Sequence, residues 1–220
     1  MYTHKCYAVF ALVISCATAG NAADFSDPTW PCIQRKVERL SVGLMWPAPL
    51  SEEVLDPATK AAVDELAETL ALRRVDLEEA RGAVATFAEA QGHDMALMGA
   101  VFERVFDRLS NRRTRIINGI GEFSLGQIAL SEKIDGARAE MDSQMAQSEP
   151  DFDRVDALEE QVDWDQRIFT DRQKTITYLC ETPTLLEKRL YAISQMLSIS
   201  FTFSRGLVEL LPRRQGILKL

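Results

Sequence analysis

Few residues in this chain have the type and spacing that chemistry requires. Two histidines occur, His4 close to the start and His93 in the run Gly92-His93-Asp94. A His-Asp dipeptide offers a base or one metal ligand, whereas catalytic metal sites commonly use three protein ligands. No Glu-x-x-His pair of the di-iron bundle type accompanies it. CxxC, CxxCH, P-loop, GxGxxG and GxSxG patterns are all missing, which removes the usual signatures of redox, haem, nucleotide and acyl-transfer sites. His93 is therefore expected in a turn as a capping or solvent-facing residue. No catalytic residue, metal or cofactor is implied, and the chain is read as a non-enzyme.

The four cysteines divide into two sets. Cys6 and Cys16 bound an apolar stretch of 11 residues behind His4 and Lys5. That stretch is too short to cross a bilayer of about 30 Å. Gly20 and Ala22 supply a small-x-small site, so residues 1–22 read as a signal peptide cleaved near Ala22. Val13-Ile14-Ser15-Cys16 offers the competing lipoprotein reading, with a lipid on Cys16. Export leaves Cys32 and Cys180, and an even pair in an oxidising compartment is expected to form one disulfide. It would close a loop of about 150 residues, worth ~5 kcal/mol in the chain-entropy model. The localisation expected is periplasmic or otherwise exported.

Charge is patterned along the chain. Arg104, Arg108, Arg112 and Arg115 recur at steps of four, four and three, on one side of a helix. Such a face suits an acidic partner or a phosphate; it equally suits ion pairs with Asp64, Glu65, Glu68, Glu78 and Glu79 of preceding helices. Residues 151–165 carry Asp151, Asp153, Asp156, Glu159, Glu160, Asp163 and Asp165 against Arg154 alone. Their spacing is helical rather than that of an EF-hand loop. This stretch either attracts a basic partner or forms a solvated face. Trp30 and Trp46, in a proline-rich segment, complete the candidate partner surface of Trp30, Trp46, Arg104, Arg108, Arg112, Arg115, Asp156, Glu159, Glu160 and Asp163.

These residues need elements to place them. The chain has 220 residues, 46% hydrophobic and 26% charged, values of an ordinary globular protein. Its net charge of −8 disfavours duplex nucleic acid as a main partner. Pro28, Pro31, Pro47, Pro49 and Pro57 fall within residues 23–57, so 23–56 is expected as an extended arm with at most a short helix or strand. Within it, Trp30-Pro31-Cys32-Ile33-Gln34-Arg35-Lys36-Val37 resembles a segment of uncharacterised secreted proteins of Gram-negative bacteria; the resemblance implies no activity.

From Asp56-Pro57 the pattern is helical. One helix is expected to about Arg73 and another from an Asp76 cap to Gln91, ended by Gly92. Residues 94–147 then follow a heptad. One seam position holds Phe102, Leu109, Ile116, Phe123, Leu130 and Ala137; the other holds Phe106, Arg113, Ile120, Gln127, Ile134 and Met141. Gly119, Gly121, Gly126 and Gly136 weaken it, leaving room for a break around 110–121. After Ser148-Glu149-Pro150 a second heptad run places Val155, Val162, Phe169 and Ile176 at one position and Leu158, Asp165, Arg172 and Leu179 at the other. The runs predict an antiparallel helical hairpin over 94–181, with Cys180 near Ile117 and Tyr178 near Gly119. Thr182-Pro183 is expected to restart a helix.

The expected fold is thus all-α: a long antiparallel coiled-coil-like hairpin packed with shorter helices in a domain of residues 57–211. Residues 212–220 form a basic, apolar tail that can touch a membrane surface or pack on the body. The function expected is an exported helical interaction protein, an adaptor, scaffold or accessory subunit whose partner is another envelope protein, with homodimerisation open. The alternative is a ligand- or metal-binding helical bundle.

Overall fold

The computed structural model describes residues 27–209 of the chain. The expectations for a signal peptide over 1–22, a lipid on Cys16 and a tail over 212–220 lie outside the described residues. Four α-helices follow one another: α1 Pro57–Ala71, α2 Leu77–Gln91, α3 Met95–Met145 and α4 Phe152–Glu209. No strand occurs among the described residues.

Each of the first three helices starts where an aspartate can cap it. Asp56 accepts from the amides of Ala58 and Thr59, with Pro57 at the first helical position. Asp76 accepts from Glu78 and Glu79, and Asp94 from Leu97 at 3.3 Å. These carboxylates satisfy amide groups that a helix start leaves unpaired. Hydrogen bonding from Thr59 lowers the pKa of Asp56. Gly92 ends α2 with φ of 100°, in the region that glycine tolerates best. Helix α1 stops at Ala71, two residues short of the expected Arg73. There Leu72 turns to extended backbone and its amide bonds Thr69.

One point left open is now closed, and one further expectation is corrected. Helix α3 runs unbroken through 110–121. Its 51 residues correspond to about 76 Å. A side chain at Gly119, Gly126 or Gly136 would meet nothing within 4 Å, and buried Leu109, Ile117 and Ile120 hold this stretch of the helix. Helix α4 also continues through Pro183 where a new start was expected. An interior proline costs about 3 kcal/mol. Packing outweighs that, since Leu186, Leu190, Ile193 and Leu197 are buried just beyond it. The Thr182 hydroxyl donates to the Tyr178 carbonyl at 2.8 Å across the same turn.

The main core joins α1, α2, the first part of α3 and the later part of α4. Leu70, Val84, Met98, Phe102, Leu109, Leu190 and Ile193 lie at its centre, with Trp46 stacked on Phe102 at 4.9 Å. A smaller core holds Trp30, Cys32, Ile117, Ile120 and Cys180. Past Ser124 on α3, and before Cys180 on α4, the buried residues are Ile134, Ala137, Leu158 and Asp165. Contacts there run between α3 and α4: Gln127 to the Phe169 carbonyl, Lys133 to Asp165, Glu140 to Arg154. This distal section is a two-helix layer.

Candidate functional site

The segment before α1 lies along α3 and crosses to α4. Cys32 and Cys180 form a disulfide, with Cα atoms 5.5 Å apart and 148 residues between them in sequence. Ser124 Oγ donates to the Pro28 carbonyl at 2.6 Å, and Thr29 comes within 3.4 Å of where a side chain on Gly121 would begin. Trp30 Nε1 donates to the Gln34 carbonyl at 2.6 Å. At its start, Asp27 accepts from the Thr29 amide and hydroxyl and from Lys36 Nζ. The Thr29 hydroxyl foremost, with Lys36 next, lowers the Asp27 pKa to about 2.

This placement corrects the expectation for the tryptophans. Trp30 and Trp46 are only 6% and 4% exposed, covered by the chain itself rather than offered to a partner. Their burial follows from the path of residues 27–50, which lays them against α3. Tyr178 is exposed, and the close approach to a glycine of α3 is made by Thr29 of the segment before α1, at Gly121.

The arginine face is partly consumed by ion pairs. Arg104 Nε lies 3.2 Å from Asp64, and Arg108 donates to Glu68 at 3.0 Å. Asp64 is held below its ordinary pKa by the Lys60 hydrogen bond first and by these arginines less strongly. Arg112 and Arg115 are exposed on the same helix.

Seam polar residues fall into different roles. Arg113 is 3% exposed and donates through Nε to Glu187 at 2.6 Å and through a terminal nitrogen to the Glu38 carbonyl at 3.4 Å. Asp165 is buried with Lys133 Nζ 2.8 Å away, a charge contact rather than an aligned hydrogen bond. Arg172, expected on the seam, is exposed. The acidic cap of α4 leaves Arg154 bonded to Glu140 at 2.8 Å.

Asp156, Glu159, Glu160 and Asp163 are all exposed on α4. They belong to a larger segregation of charge. Residues 128–167 hold twelve acidic side chains and four basic ones, a net of −8. That equals the net charge of the whole chain, so the other 180 residues balance at twenty-one of each sign. On this acidic section Trp164 stands 63% exposed. It lines an open depression of about 500 Å³ with Ala157, Glu160, Gln161, Asp163 and Arg167. Trp164 was not among the residues singled out from sequence. Its signal was present: a large aromatic between the seam positions Val162 and Asp165, hence off the seam.

Carboxylates around an exposed indole form a surface that attracts cations over distance and can hold a guanidinium or ammonium against the ring. Nothing in this section forms a nucleophile–base pair. His93 is exposed, remote in sequence from these residues. Among the described residues, no three His, Cys, Asp or Glu side chains are grouped to hold a metal ion. No described helix is long and apolar enough to cross a membrane. Neither a protein-family model, nor a curated protein, nor a solved structure matches the chain.

Proposed function

We propose that this is an exported helical interaction protein, an adaptor or accessory subunit of an envelope assembly, acting without catalysis of its own. In this reading α3 and α4 form an antiparallel coiled-coil-like hairpin whose distal end meets the partner. The body formed by α1, α2 and the bases of the long helices supports it, and residues 27–56 act as an arm clamping the hairpin at its base.

One observation carries the reading. The entire net charge of the chain resides on residues 128–167, together with the exposed Trp164. Self-repulsion among twelve acids opposes folding of that section. Tryptophan is highly buried on average, and Trp164 leaves its ring in water amid these acids. Both features have a use if a basic surface docks there. The Cys32–Cys180 bond agrees with an oxidising compartment.

The test is affinity purification of the tagged full chain from its native host, with mild crosslinking and mass spectrometry. A second preparation carries Asp156→Asn, Glu159→Gln, Glu160→Gln and Asp163→Asn. A stoichiometric basic partner on the unaltered chain, lost from the neutralised one, is the expected result. Equal recovery from both preparations contradicts the reading.

A further inference from the structure

Building on the distal section as the partner-binding end, we propose that the acidic depression at Trp164 receives residues 210–220 of a second copy of this chain. Copies would then join head to tail.

The depression specifies its occupant. Glu160 and Asp163 outnumber the one lining cation, Arg167, and call for a basic occupant, while Trp164 and Ala157 call for apolar groups beside it. Residues 210–220 supply both: Arg213, Arg214 and Lys219 with no acidic side chain, among Leu210, Leu211, Ile217, Leu218 and Leu220. Several other basic residues are already engaged, and exposed Arg112 and Arg115 lack the run of apolar neighbours that residues 210–220 have. Arg113 is buried on Glu187, Arg104 and Arg108 are paired with α1, and Lys36 holds Asp27.

The chain's own segment does not reach. Trp164 and Glu209 both belong to α4, 45 residues apart, which at 1.5 Å per residue is about 67 Å. Eleven residues fully extended span at most about 40 Å. The occupant must come from another molecule. Donor and acceptor surfaces lie at opposite ends of α4, so the contact is heterologous and gives a ring or an open string of copies.

Charge exchange tests this in the full chain. One variant reverses Glu160 and Asp163 of the depression with the neighbouring Glu159 (Glu159→Arg, Glu160→Arg, Asp163→Arg), and another reverses the segment (Arg213→Glu, Arg214→Glu, Lys219→Glu). Sedimentation velocity is followed over a concentration series. The unaltered chain is expected to grow in sedimentation coefficient with concentration, and to lose that growth at high salt. Each variant alone is expected to stay monomeric, because its two surfaces then share one sign. An equimolar mixture of the two is expected to regain association. A monomeric unaltered chain, a variant that associates undiminished, or a mixture that stays monomeric overturns the proposal. So does a segment that instead carries a monomeric chain to phosphatidylglycerol vesicles. If the monomeric chain still retains a basic partner through its acidic surface, self-docking fails while the broader reading stands; if it retains none, both fail.

Discussion

Arg113 shows how a single side chain reports both its sequence position and its surroundings. A guanidinium at a heptad seam is costly when buried without a partner, and its place in the repeat already marked it as a residue needing one. The partner itself, Glu187, lies 74 residues away and follows only from how α4 passes α3. Glu187 keeps 35% of its side chain exposed, so loss of the arginine strands it only in part. Arg113→Ala is therefore expected to lower stability by about 2–3 kcal/mol, and Arg113→Met by less. Urea unfolding with the disulfide intact measures both. Asp27 offers a pH test. Its pKa is lowered to about 2, so the stability it contributes is present above the usual carboxylate value of about 4. That contribution is lost as pH falls through 2. A carboxyl NMR titration should place its midpoint near 2. Thr29→Val should move it upward more than Lys36→Met, since the hydroxyl is the larger influence. An unshifted midpoint in both variants would contradict the geometry at the start of the arm. The caps Asp56 and Asp76 were legible because capping is local; the cap at Asp94 was not singled out. Burial of Trp30 and Trp46 was not, because it depends on the route of a segment without periodicity.

At the scale of elements, periodicity predicted the helices well and their ends less well. Heptads exposed α3 and most of α4 because a seam repeats whatever else surrounds it. Pro183 misled because a local breaker was given more weight than the burial of Leu186, Leu190 and Ile193, which form the apolar face just beyond it. The glycines of α3 left continuity open: a side chain at Gly99 or Gly121 would come within 3.4 Å of Trp46 or Thr29, while one at Gly119, Gly126 or Gly136 would meet nothing within 4 Å. The disulfide was legible from the cysteine count once residues 1–22, with Cys6 and Cys16, were set aside as a signal peptide. Its removal in a Cys32→Ala, Cys180→Ala chain is expected to cost about 2–5 kcal/mol. It should also open residues 27–50 to limited proteolysis before the helices are cut; unchanged digestion would contradict an arm fastened at that point. The distal layer should behave as a separate opening unit. Ile134 is 3% exposed there. Ile134→Ala, a deletion worth about 2–5 kcal/mol in a closed core, should speed amide exchange across 125–170 while leaving protection in α1 and α2 unchanged. Accelerated exchange in α1 as well would show that the layers unfold together.

At the scale of the whole molecule, a balanced body carries a strongly acidic, two-helix extension. The acidic stretch on α4 was visible in sequence, but its extent was not. Half of the excess comes from α3 and the turn, which fold back beside it. Trp164 entered only once its exposure was known. The central claim is that this extension is where the protein meets its partner. A photoreactive amino acid at Ala157, beside Trp164, tests it directly in the native host, with Glu89 on α2 as the comparison position. The account predicts a discrete crosslinked species from position 157, absent from position 89. That species should disappear when Asp156, Glu159, Glu160 and Asp163 are neutralised. Crosslinking from position 89 alone, or a product at 157 that persists without those acids, would contradict it.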